Sequence, residues 1–150
     1  MFIAKLVSTC FGIGYLQKGA GTLAALIFSL AWLLLPAEGI SFYYYIPIVL
    51  FIFFIGTWAS KAVEKKWGHD SNRIVVDEVL GMAVSLFLIP VQWKYVLAAF
   101  LLFRFFDILK PLLIRKAETL PGGWGVMTDD LLAGIYANLI LQLLIRTGTF

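Results

Sequence analysis

The chain has one cysteine, one histidine and little charge. Cys10 cannot form an intrachain disulfide, so no disulfide framework holds the fold and the redox compartment stays undetermined. Only 14% of the 150 residues are charged, against roughly a quarter in soluble globular domains. The basic residues form no dense run, which argues against a nucleic-acid partner. Residues 1–11 do not read as a cleavable leader: their apolar stretch is short, and Gly-Tyr-Leu-Gln-Lys follows in place of a small-residue cleavage site.

What the chain has in excess is apolar surface. Hydrophobic residues make up 61% of it, and the mean hydropathy is +0.92. A single domain of this length, 1–150, cannot bury all of that in its own core, so an integral membrane protein is expected. Five apolar runs, 22–35, 42–59, 79–89, 93–106 and 131–145, are separated by Pro36, the polar stretch 61–73 (which reads as a helix extension and then a loop at 68–72), Pro90 and the glycine-rich 115–128. Tyr43, Tyr44, Tyr45 and Trp58 sit near the ends of the second run, where aromatic side chains favour the headgroup layer. The expected fold is an all-α, multi-pass membrane bundle of about five hydrophobic helices, with polar loops forming a site on the cytoplasmic face. The runs are short: a run of 14 residues rises only about 21 Å, against about 30 Å of hydrocarbon. If the five helices alternate, Lys5, Lys18, Lys61, Lys65, Lys66, Arg73, Arg104, Lys110, Arg115 and Lys116 share one side, and only Lys94 and Arg146 take the other. The positive-inside rule makes the first side cytoplasmic, and the whole chain's net charge of +3 suits anionic headgroups.

The same threading brings five of the nine acidic residues to that side: Asp77-Glu78, Asp107 and Asp129-Asp130. One acid at a helix start complements the N-terminal partial charge, and Thr128 could cap the last helix. Two adjacent acids at each of two starts exceed that need and repel one another, which a hard divalent cation would relieve. Asp77-Glu78-Val79-Leu80-Gly81 is also echoed by Asp129-Asp130-Leu131-Leu132-Ala133. Arg104, Asp107 and Lys110 recur at steps of three on one helical face. They form either an ion pair at the membrane edge or two cations for a phosphate with a carboxylate between them. Gly12, Gly14, Gly19 and Gly21, and the segment from Gly122 to Thr128, read as connectors or as backbone able to approach an anion. His69 reads as a solvated loop residue and Cys10 as a small apolar filler.

Several chemistries are excluded. No Gly-Lys-Ser/Thr makes a P-loop. A thiolate phosphatase would want arginine six positions after Cys10, where Leu16 stands. A second histidine for histidine-nucleophile phosphatases is missing, as are the Asp-x-Asp of haloacid-dehalogenase-type phosphatases and the spaced aspartates of CDP-alcohol phosphatidyltransferases.

Three segments resemble, in order, the phosphatidylglycerophosphatase A family. They are Ile74-Val75-Val76-Asp77-Glu78-Val79-Leu80-Gly81-Met82, then Phe103-Arg104-Phe105-Phe106-Asp107-Ile108-Leu109-Lys110-Pro111, then Gly122-Gly123-Trp124-Gly125-Val126-Met127-Thr128-Asp129-Asp130-Leu131-Leu132-Ala133-Gly134. Gly12-Ile13-Gly14-Tyr15 and Gly21-Thr22 are similar to that family's opening. Two positions depart from it: Ala20 replaces a usual proline, and Leu112 follows Lys110-Pro111 where a second proline is common. The resemblance implies an all-helical, magnesium-dependent lipid phosphatase. It would convert phosphatidylglycerophosphate to phosphatidylglycerol at the cytoplasmic face of a bacterial inner membrane. Asp77, Glu78, Asp129 and Asp130 are then expected to hold Mg²⁺, with Asp107 as general base or further ligand. Arg104, Lys110 and Arg115, with Gly21 and Thr22, are expected at the substrate phosphate. Direct attack by water is the expected route and an aspartyl-phosphate the alternative. Two other readings stay open: a non-enzymatic transporter subunit or assembly factor, and a phosphatase of another lipid phosphate. Oligomeric state has no signal in the sequence.

Overall fold

The computed structural model describes residues 1–150 apart from Gln17 and Asp70. Gln17 belongs to the glycine loop expected over 12–21 and Asp70 to the loop expected at 68–72, so the sequence reading at those two positions lies outside the described residues. Every helix or strand assigned among the described residues is helical. The helices are α1 (Phe2–Ser8), α2 (Ala20–Trp32), α3 (Phe42–Trp67), α4 (Val76–Ser85), α5 (Trp93–Leu109), α6 (Leu113–Glu118) and α7 (Gly123–Arg146), with a 3₁₀ turn at Ile13–Tyr15. The five apolar runs fall largely within α2, α3, α4, α5 and α7. The short α1 and α6 were not foreseen, because six or seven residues are too few to show a helical period.

Helix α3 continues through Lys61-Ala62-Val63-Glu64-Lys65-Lys66, as the sequence reading expects: these are mostly good helix formers, with Lys65 and Lys66 in the favourable last turn. Two other boundaries differ from the sequence reading, each for a physical reason. Helix α7 begins at Gly123, so the segment from Gly123 to Thr128 is helix and not connector. Thr128 is therefore no cap, and Asp129-Asp130 lie beyond the first turn, where the helix dipole offers little. Helix α4 stops at Ser85, within the apolar run. Leu88 adopts a left-handed φ of 57°, and Pro90 follows.

That early stop leaves carbonyls inside the bundle, and two other helices satisfy them. The Tyr45 hydroxyl of α3 donates to Ala83 O. Asn138 Nδ2 of α7 donates to Ser85 O (3.0 Å) and Phe87 O (2.7 Å). Unpaired backbone groups in an apolar medium are costly, so these bonds allow a half-length helix to end there.

Helix α4 packs against α2, α3, α5 and α7, with Leu80 and Met82 wholly buried along it and Leu86 wholly buried just past its end. Its closest partner is α7. A Cβ added to Gly134 would lie 2.5 Å from Gly81 O, so the two helices meet backbone to side. Close approach through small residues is the packing that works in lipid, where apolar side chains gain little by leaving the tails. The starts of α2 and α4, the end of α5 and the early part of α7 lie at one end of the molecule, where they line a common cavity. The start of α3 reaches the far end of α4, through Tyr45 and Ala83. Helices α3 and α7 are long and apolar enough to cross a membrane. Helix α2 (about 20 Å) and α4 (about 15 Å) are too short to do so alone.

Candidate active site

The cavity measures about 410 Å³. Its walls are the start of α2 with the residues before it (Lys18 to Thr22), the loop around Ser71 and Asn72, Asp77 and Glu78 of α4, Arg104 and Asp107 of α5 with Lys110 just beyond, and Asp129 and Asp130 of α7. All five acids singled out from the sequence thus line one space, together with Arg104, Lys110, Gly21 and Thr22. Arg115 is exposed on α6 and does not line it. His69 also lies outside the lining, with Nδ1 2.7 Å from Glu64 Oε1.

Each acid pair bends back on its own backbone in the same way. Asp77 Oδ1 accepts from the Glu78 N–H (3.0 Å), and Asp129 Oδ1 accepts from the Asp130 N–H (2.9 Å). The short echo in the sequence is therefore repeated in local geometry. Glu78, Asp107 and Asp129 each also turn an oxygen to a cation. Arg104 Nη1 donates to Glu78 Oε2 (2.5 Å) and Asp107 Oδ2 (2.6 Å), which joins α5 to α4. The ion pair expected between Arg104 and Asp107 is present, but a third partner has joined it. Lys110, held at a left-handed φ of 47° by the end of α5, reaches Asp129 Oδ2 (2.7 Å) and Glu118 Oε1 (2.8 Å).

The electrostatics follow from burial. Burial raises the Glu78 carboxyl to about 7; Asp107 adds to this, while the charge and hydrogen bond of Arg104 oppose it. Burial works against the Lys110 ammonium, but its bonds to Asp129 and Glu118 outweigh that and hold it above the ordinary lysine range. Burial and then the charge of Asp77 push the Cys10 thiol up to about 12, so it supplies no thiolate near neutral pH.

The donor set suits a hard divalent cation, since every acid offers carboxylate oxygen. Asp130 is buried, and its Oδ2 has no hydrogen-bond partner, the kind of orphan oxygen that an ion satisfies. As they lie, however, no three acidic, histidine or cysteine side chains among the described residues are grouped tightly enough to hold one. Arg104 and Lys110 occupy oxygens that an ion would need.

Gly21, expected from the resemblance at the substrate phosphate, has a further role that the sequence did not show. It lies inside α2, and a Cβ there would fall 2.0 Å from Glu78 Oε1, so its missing side chain is the space the Glu78 carboxylate fills. Glu118, Lys18, Ser71 and Asn72 were not anticipated as site residues. Lys18 stood in the glycine loop over 12–21, and Ser71 and Asn72 in the polar stretch 61–73. Glu118 had no signal, because only the Lys110-Pro111 turn brings it back to Lys110.

The family model for phosphatidylglycerophosphatase A matches residues 6–145. The chain belongs to the phosphatidylglycerophosphatase A family. Membership makes it a phosphatase, a phosphoric monoester hydrolase. A Bacteroides thetaiotaomicron protein with the provisional name phosphatidylinositol-3-phosphatase is 43% identical over 147 residues, covering 93% of this chain and 92% of that protein. The phosphatidylglycerophosphatase A of Haemophilus influenzae is 38% identical over 91% of this chain and 85% of its own length. That of Escherichia coli is 33% identical over 91% and 80% respectively. No solved structure matches the chain.

Proposed function

We propose that this cavity removes the terminal phosphate of phosphatidylglycerophosphate at a cytoplasmic membrane face, with Mg²⁺. The observation that carries the reading is the convergence of five carboxylates with Arg104 and Lys110 in one recess of about 410 Å³, ample for a glycerophosphate headgroup. Family membership supports the reaction class. The bundle would be held by α3 and α7 as spans, with the shorter helices completing it. Lys94 and Arg146 lie at the start of α5 and the end of α7, remote from the cavity, and the other ten cations favour a cytoplasmic mouth.

Asp77, Glu78, Asp129 and Asp130 are the residues that would hold the ion. When bound, Mg²⁺ would grip the phosphate and acidify a water molecule. The other roles fall to the chain itself. Arg104 and Lys110 would turn from their carboxylates to the phosphate oxygens, Arg104 with two parallel bonds and Lys110 as a point charge. Both would steady the charge that moves toward the leaving oxygen. Asp107, released by Arg104, would accept a proton from the attacking water. Among the residues lining the cavity five acids face three cations, Lys18 included; with those acids ionised, a phosphate dianion meets a net negative wall unless a cation enters.

A second reading concerns the headgroup. The 43% identical relative is named for an inositol lipid, so a 3-phosphoinositide is the competing substrate. The test is phosphate release by the purified protein in vesicles carrying phosphatidylglycerophosphate, phosphatidylinositol 3-phosphate or phosphatidate, with and without Mg²⁺. The fastest turnover should fall on phosphatidylglycerophosphate, vanish with chelator, and drop about 10²-fold or more in folded Asp129→Asn and Asp130→Asn. Near-normal turnover in both variants removes the site assignment. Preference for the inositol lipid moves the substrate to the second reading.

A further inference from the structure

We propose that two apolar loops on either side of the cavity, residues 11–16 and 108–113, dip into the leaflet that carries the substrate and so seat the cavity mouth at headgroup depth. This deepens the lipid-phosphatase reading and rests on it.

Both loops expose large apolar side chains at the end of the molecule that is richest in charge. Phe11 is 86% exposed and Leu16 54%; in the second, which takes in the end of α5 and the start of α6, Ile108 is 68%, Leu112 80% and Leu113 55% exposed. Each loop adjoins the cavity wall. The first runs into Lys18 and Gly19, and its Gly14 rests against Arg73 O in the loop that supplies Asn72 and Ile74. The second contains Lys110 itself.

These loops are held in place. Ile13 and Cys10 pack on Ala20, Ala24 and Val75, and the Tyr15 ring meets Trp67 of α3 edge-on at 6.0 Å. Among the described residues, four of the five non-glycine residues with positive φ lie in or beside these loops: Cys10 and Phe11 (46° and 58°), Lys110 and Leu112 (47° and 52°). That conformation is unfavourable for side chains of this size, and it holds Phe11 and Leu112 outward instead of folded onto the bundle.

The chemistry beside the loops identifies what covers them. Lys18 stands next to the first loop, and Arg115 and Lys116 follow the second; all three are exposed. Apolar residues flanked by basic ones match a leaflet surface, with acyl tails below and anionic headgroups above. A second copy of this chain would meet like charge there. With both loops submerged, the phosphate of a lipid can enter the cavity sideways while its tails stay in the bilayer.

Nitroxide labels on Phe11→Cys and Leu112→Cys in a Cys10→Ala background, reconstituted in anionic vesicles, measure depth without turnover. Lys66→Cys, exposed at the end of α3, serves as the water reference. Both loop labels should be more accessible to oxygen than to a water-soluble nickel complex, and the reference label the reverse. A loop label that behaves like the reference, or one shielded from both relaxants as in a contact between copies, overturns the proposal. Turnover gives the second arm. Leu112→Glu should lower kcat/KM about tenfold or more on vesicle-borne substrate while leaving a short-chain, monomeric lipid phosphate unchanged. An equal fall on both substrates makes the loop part of the cavity, and no fall on either makes it irrelevant; both results refute the seat. If the wild-type protein hydrolyses neither substrate, the reaction assignment fails, and the label depths still decide whether the loops are in the leaflet.

Discussion

The Gly21→Ala variant is a sharp test of how the cavity is built. The added methyl would sit 2.0 Å from Glu78 Oε1 and 2.8 Å from Glu78 Cδ, and no other atom lies closer. Ordinary contact begins near 3.4 Å, so the carboxylate must retreat by more than an ångström. The obstacle is the end of a flexible side chain, so the backbone need not move. Gly21 lies within α2 without a positive φ, and alanine there favours the helix by roughly 0.5–1 kcal/mol. Against this stands the weakened bond from Arg104 to Glu78, a charged hydrogen bond worth about 1.5–3 kcal/mol. Thermal stability in detergent should therefore fall by no more than about 2.5 kcal/mol. Catalysis should suffer much more, since misplacing a reacting group by 1 Å can cost about 10²-fold. The assay is phosphate release from vesicle-borne phosphatidylglycerophosphate at saturating Mg²⁺, set beside a melting curve of the same preparation. A folded Gly21→Ala enzyme with wild-type kcat/KM would refute the claim that the position of Glu78 matters. A variant that does not fold would refute the claim that only a side chain stands in the way.

Two further outcomes follow from the same contacts. Asn138→Leu removes the donor from Ser85 O and Phe87 O and leaves both without that partner, so it should lower stability by about 2–5 kcal/mol; a midpoint within a degree of wild type would show that α4 ends without its help. Glu78, raised by burial from 4.5 to about 7, binds its proton more tightly when folded, so its contribution is complete below the unfolded value and is lost as pH rises through about 7. The metal-free protein should then lose up to roughly 3 kcal/mol between pH 4.5 and pH 8, while added Mg²⁺ should stabilise more at the upper end; a metal-free melting midpoint that climbs with pH over this range would contradict that sign.

How much of this was legible in the sequence depends on how far each signal reaches. The grouping of Asp77-Glu78, Asp107 and Asp129-Asp130 was legible because charge beside long apolar runs needs a reason wherever the chain goes. The all-helical fold was legible from the runs and their proline stops. The partners of the charges were not. Arg104 and Asp107 stand at helical spacing and read as a pair, yet Glu78 completes that contact from another helix. Lys110 read as a phosphate ligand, and its bond to Glu118 depends on a left-handed turn at Lys110 itself, which composition does not announce. Arg115, grouped with them in the sequence, points to solvent because α6 starts only after that turn.

The glycines mark the same limit from the other side. Gly81 lies one helical turn beyond Asp77, and Gly134 one turn beyond Asp130. In the fold these two glycines meet, with Gly81 O 2.5 Å from where a Gly134 Cβ would be and Asp130 O 3.0 Å from a Gly81 Cβ. Because the contact stands one turn below each acid pair, it sets both pairs at the same height and brings α4 and α7 close enough for their carboxylates to share a space. The resemblance between the two segments is thus tied to a shared packing device. Neither half explains itself in the linear sequence: a glycine inside a helix reads as a cost, and adjacent acids read as repulsion. Each makes physical sense only once the other helix is beside it.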